Sequence, residues 1–163
     1  MTLKVPTRHN PKLQKLMDRI NSDQELLQLW KIANINAVDR LGMSDHGEVH
    51  IRIVANAALR IIRLLGEAGI TPNSVSDHDL LYEDAELIVV LAACLHDLGI
   101  SVHRDDHESY SLILAYPKAR QLLAGIYDEP HLTTMVAETL HAVIAHRWDV
   151  RDLTLEAGVL KVA

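Results

Sequence analysis

The chain has 163 residues, enough for one domain with a sizeable buried core. Its net charge of −6 excludes a phosphate-tracking nucleic-acid surface, which needs a basic excess, but not a small nucleotide neutralised locally by a metal. Phe is absent and aromatics total 4%, so the core must be Leu, Ile, Val and Ala, a palette that suits packed helices better than a β-sandwich.

Pro11 opens a short amphipathic helix, PKLQKLMDRI, because proline is tolerated in a first turn. Asn21, Ser22 and Asp23 offer an N-cap for QELLQLWKIANINAVDRL, which Gly42 breaks. A long third helix is expected from about Asp45 to Gly66, where Val54, Ala57, Ile61 and Leu65 repeat at helical spacing. AGITPNSVSDHDL is turn-rich and reads as a loop. LLYEDAELIVVLAACLHDLG is apolar nearly all round, hence the central helix of the fold, stopped by Gly99.

Residues 100–107 read as a polar connection and ESYSLILAY as helix, with Pro117 opening a separate short helix that ends near Gly125. Pro130 starts a helix through Arg147. LTLEAGVLKVA is a last amphipathic helix with Leu153, Leu155, Val159, Leu160 and Val162 available for burial. Nothing alternates with period two and no repeat is evident. The expectation is an all-α single domain over 1–163, with N-terminal helices in 1–44 and the chemistry-bearing part in 45–163.

The N-terminus lacks the apolar core of a signal peptide, and the longest apolar run, Leu87 to Leu95, is too short for a bilayer. A soluble, cytoplasmic protein without a membrane partner is expected, and a homo-oligomer stays open. Cys94, the single cysteine, lies in that run and reads as a buried core thiol rather than a nucleophile. No GxGxxG or GxxxxGK[ST] loop is present to cradle phosphate.

Ten histidines are the unusual count, since neutral imidazole is the commonest metal ligand. Ala85, Val89, Ala92 and His96 share one helical face, so His96 ends a buried stripe and Asp97 follows it. An Asp at a helix C-terminus opposes the macrodipole, and a divalent ion would relieve that. His50 shares its face with Val54, Ala57, Ile61 and Leu65, and His46 lies one turn earlier. The pair can share a metal, or one can bind metal while the other meets substrate. The bland alternative is a solvated His46 and a satisfied core His50.

Together, HIRIV at His50 and LAACLHDLG at His96-Asp97 resemble the HD superfamily of metal-dependent phosphohydrolases, over about residues 45 to 163. Arg52 departs slightly from that family's first motif. The resemblance implies an HD-like helical bundle whose central helix ends in His96-Asp97, with one or two divalent ions (Mn, Fe, Co, Ni, Zn or Mg). His50, His96 and Asp97 would be ligands, and His107 and His146 would serve a second ion bridged by Asp97. His141 is the fallback for His146, since five residues put them about 140° apart on a helix. Asp97 and His46 are the expected catalytic groups, and Arg52, Arg104, Arg147 and His141 are candidate substrate contacts.

A metal with open positions would acidify a bound water and polarise a phosphoryl oxygen. The implied reaction is hydrolysis of a phosphomonoester or phosphodiester, most often a nucleotide. A minority of similar sites are di-iron oxygenases, and a non-catalytic metal-binding sensor or oligomerisation module is the alternative. The family's distal Asp normally sits on the last helix, where Val162-Ala163 would begin its motif. The chain is therefore expected to be incomplete, unless Asp149 or Asp152 is the ligand.

Overall fold

A computed structural model describes residues 2–163, and these residues are all-helical, with one isolated bridge between Ala124 and Tyr127. The helices are α1 (Pro11–Ser22), α2 (Gln24–Asn34), α3 (Glu48–Glu67), α4 (Asn73–His78), α5 (Tyr82–Leu95), α6 (His107–Leu123), α7 (His131–Ala145) and α8 (Leu155–Val162). A π-helical segment, Ile35–Arg40, extends α2, and a 3-10 turn, Leu98–Ser101, follows α5. Among the described residues no helix is long and apolar enough to cross a membrane.

The N-caps follow from the sequence. Asn10 accepts from Leu13 N–H at 3.1 Å, Asp23 from Leu26 N–H at 2.9 Å, and Thr154 from Ala157 N–H at 3.1 Å. The Asp84 carboxylate reaches back to Leu81 N–H at 2.8 Å and starts α5.

Helix α5 is the axis of the molecule. Every residue from Asp84 to Leu95 is buried, and α1, α3, α7 and α8 pack around it. Each fully buried Leu, Ile or Val there contributes roughly 1.5–3 kcal/mol of apolar transfer. Cys94 is buried in this helix, its thiol pushed up to about 12 by burial, as befits a core residue.

Four expectations need correction. Residues 73–78 are helix α4, not loop: Glu156 of α8 accepts from Ser74 N–H at 2.9 Å, a cap supplied from another element. Pro117 does not divide α6. The carbonyl it leaves without a donor belongs to Ile113, which is 70% exposed, so water can serve it. The buried stripe of α3 is Ile51, Val54, Ala55, Ala58, Leu59 and Ile62, whereas Ala57, Ile61 and Leu65 are half-buried beside it. In α8, Ala157, Val159 and Leu160 are buried but Val162 is exposed, and Leu153 lies before the helix and is exposed.

Gly99 also works differently from a helix stop. A Cβ there would lie 1.9 Å from the carbonyl oxygen of His107 and 2.5 Å from Ser111 N, because α6 crosses directly over the 3-10 turn. Ser111 Oγ accepts from Gly99 N–H at 2.8 Å and donates to the carbonyl of His96 at 2.7 Å. From the other side Asn36 Nδ2 donates to the carbonyl of Ile100 at 2.7 Å. The chain after His96-Asp97 is thereby clamped between α6 and the π-helical segment. We predict that Gly99→Ala lowers stability by at least about 3 kcal/mol in urea denaturation, because backbone rather than a flexible side chain must move. A loss below about 1 kcal/mol would contradict the close crossing.

Candidate metal centre

Four helices deliver the histidines to one place. His50 stands in the first turn of α3, and Asp45 Oδ1 accepts from its N–H at 3.0 Å. Asn34 Oδ1, at the end of α2, accepts from His46 N–H at 3.0 Å and fixes the turn that leads in. His96 caps the C-terminus of α5, His107 opens α6, and His146 caps the C-terminus of α7. The rings form a continuous row. Centroid separations are 5.1 Å for His46–His50, 5.4 Å for His50–His96, 4.9 Å for His96–His146 and 5.4 Å for His146–His107.

Asp97 lies beside this row with each oxygen facing a different pair. Its Oδ2 is 3.2 Å from His50 Nε2 and 3.0 Å from His96 Nε2, which are 3.4 Å apart. Its Oδ1 is 3.1 Å from His107 Nε2 and 3.7 Å from His146 Nε2, which are 3.3 Å apart. Ligands about 2.1 Å from one ion, at tetrahedral to octahedral angles, lie roughly 3.0–3.4 Å from each other. Both triangles match that spacing apart from the longer His146–Asp97 edge. Each group, His50-His96-Asp97 and Asp97-His107-His146, could therefore hold a metal ion.

The tautomers of His96 and His146 fit as well. His96 Nδ1 donates to the carbonyl of Ala93 at 2.8 Å, and His146 Nδ1 donates to the carbonyl of Val143. Those bonds leave the Nε2 lone pairs pointing into the cluster, as in metal-bound histidines. His107 differs: its Nδ1 has a guanidinium nitrogen of Arg104, which can only donate, at 2.6 Å, besides the Arg104 carbonyl at 3.2 Å and Glu108 Oε2 at 3.3 Å. Lone pairs of imidazoles facing each other at 3.3–3.4 Å repel unless a proton or a cation lies between them.

The charges of the site are strongly coupled. Burial alone would push the Asp97 carboxyl up, but the His96 charge and hydrogen bonds from His107, His50 and His96 hold it well below the usual carboxylate range. Burial would likewise lower His96, and the Asp97 charge and hydrogen bond, with the Ala93 carbonyl, raise it instead. His146 is pushed down to about 4, first by burial and then by the charge of His96. His50 is the most open ligand, its side chain 29% exposed against 7% for His96, so solvent reaches the cluster from the α3 side.

The other expected site residues are scattered around this centre. His46 stacks near His50, and its Nδ1 donates to the carbonyl of Ser44 at 2.7 Å, leaving Nε2 free as an acceptor. Arg104 has a guanidinium nitrogen 2.6 Å from His107 Nδ1. Arg147 is held by Asp149 at 2.7 Å and Asp106 at 3.6 Å. Arg52 is half-buried on α3, about 200° around the helix from His50, and so projects away from it. His141 is not in the cluster: its Nε2 accepts from Leu153 N–H at 2.9 Å. Asp149 pairs with Arg147 and Asp152 with Lys161 at 3.0 Å, so neither belongs to either group. Ser111, Asp45 and Glu108, which fix the ligands, carried no sequence signal beyond polarity.

An uncharacterized protein of Methanocaldococcus jannaschii is 40% identical over 148 residues, which are 91% of this chain and 57% of that protein. The chain thus spans a little over half the length of this relative. No family model and no solved structure matches it.

The coupled charges give a test in the metal-free protein. A depressed histidine pKa means that the unfolded chain takes up the proton first. His146 should therefore cost stability as pH falls from 6.5 to about 4, by about 3 kcal/mol if it acts alone. His96 has the opposite sign, since its contribution is present below 6.5 and fades as pH rises through its raised pKa. Imidazole NMR after chelation should show His96 protonated above the ordinary range and His146 neutral down to about pH 4. A His146 that titrates near 6.5 would contradict the arrangement.

Proposed function

We propose that the chain is a metal-dependent phosphohydrolase domain of the HD superfamily, acting on a phosphomonoester or phosphodiester with nucleotides as the substrate class. One observation carries the reading: a single buried carboxylate, Asp97, presents one oxygen to His50 and His96 and the other to His107 and His146. His50, His96, Asp97, His107 and His146 would hold two ions, the number that assists an in-line phosphoryl displacement. The motifs at His50 and His96-Asp97, and the order of His107 and His146 after them, support the family assignment.

Four imidazoles and one carboxylate favour Mn, Fe, Co, Ni or Zn, and make Mg, which prefers oxygen, the poorest fit. Bound there, the ions supply charge to the phosphoryl oxygens and acidity to a coordinated water. The protein's own groups orient the reaction. Asp97 would set the spacing of the two positions, and His46, whose ring lies 5.1 Å from that of His50, offers Nε2 as a proton acceptor. Arg104, 2.6 Å from His107 Nδ1, is a cation beside the centre that can meet substrate phosphate.

Metal analysis with a nitrophenyl phosphate and nucleotide screen tests this reading. The expected content is two ions per chain, falling to none in Asp97→Ala and to one in His50→Ala or His107→Ala. Turnover should fall at least about a hundredfold in Asp97→Ala. Full metal content and unchanged turnover in Asp97→Ala would sink the proposal. Metal retained with no ester hydrolysed would leave a metal-binding regulatory module instead.

A further inference from the structure

The two tryptophans stand in opposite environments: Trp30 is 2% exposed and Trp148 is 89% exposed. An indole buries a large apolar face when it finds a partner, so one held almost wholly in water is a face without its counterpart. Trp148 lies two residues beyond His146 and lines a cleft of about 580 Å³ with Met43, Arg104, Asp105, Asp106, Glu108 and Arg147. Met43 gives the floor an apolar patch and is itself anchored on Ala33, Ala37 and Ile100. The cleft adjoins the metal centre, because Arg104 touches His107 and Arg147 directly follows His146.

The charges in the cleft decide what fits beside the indole. Arg147 is already neutralised by Asp149 and Asp106, and Arg104 and Glu108 are both turned to His107, Glu108 Oε2 lying 3.3 Å from its Nδ1. Among the described residues the Asp105 carboxylate has no partner, though the backbone N–H of Asp105 donates to His103 Nδ1 at 3.0 Å. Besides its paired charges the cleft therefore offers the apolar surface of Trp148 and Met43 and the carboxylate of Asp105. It repels a phosphate and accepts an uncharged ring with N–H donors. A phosphate is drawn the other way, towards Arg104 and the histidine cluster.

We infer that Trp148 is the stacking platform for the base of a nucleoside phosphate, whose phosphate end reaches the Asp97 centre. The phosphate end of this inference rests on the phosphohydrolase reading, but the stacking does not. Base–aromatic stacking raises affinity by roughly tenfold per base and tolerates any base, since each has a π-face.

The test uses the metal-loaded protein with adenosine monophosphate and ribose phosphate as probes, read by tryptophan emission and by equilibrium dialysis. Adenosine monophosphate should quench the exposed emission and bind roughly tenfold tighter than ribose phosphate. Trp148→Ala should abolish that advantage and leave ribose phosphate unaffected, and Trp148→Phe should recover most of it. Equal binding of the two probes to the unmodified protein, no binding at all, or parallel weakening of both in Trp148→Ala would each overturn the inference. Trp148-dependent nucleotide binding without hydrolysis would sink the hydrolase reading and keep the platform. Hydrolysis indifferent to Trp148 would do the reverse.

Discussion

One buried carboxylate organises this molecule. Asp97 sits at the end of the most apolar helix, 6% exposed, with imidazole nitrogens within 3.2 Å of both oxygens. A lone charge there would be costly, and the surrounding histidines are what keep it ionised. That arrangement demands that α3, α5, α6 and α7 all begin or end at one point. The rest of the fold serves this convergence. Helix α5 is buried on every side, and the chain after Asp97 is clamped by Ser111 and Asn36.

Part of this was legible in the sequence because it is written in local chemistry. The unbroken apolar run around Cys94 marks α5, and a polar His-Asp pair ending such a run is conspicuous. The spacing of His50, His107 and His146 about that pair carried the family resemblance. Asp23, one of the expected caps, is equally local, and α2 starts where it stands.

What stayed hidden depends on other elements. The turn-rich residues 73–78 form a helix because Glu156, more than seventy positions away, caps it. Pro117 lies inside a helix because its orphaned acceptor faces water, and exposure is a tertiary property. The stripe of α3 is rotated from the expected one because Ile51, Ala55 and Ile62 meet α5, and several apolar registers along that helix are equally regular. Gly99 reads as a helix stop, but its need for a missing side chain comes from the backbone of α6. His141 and His146 are both plausible by composition. Only the end of α7, where His146 bonds the Val143 carbonyl, separates them.

The centre is asymmetric. The His50 side is open to solvent, while the His107 side is enclosed and borders the cleft beside Trp148. Diffraction at the absorption edge of manganese or zinc, from crystals of the metal-loaded protein, tests the central claim most directly. Two anomalous peaks about 3.5–4 Å apart, one against each oxygen of Asp97, are the expected result. Peaks remote from Asp97, or none on a protein carrying bound metal, would contradict the account.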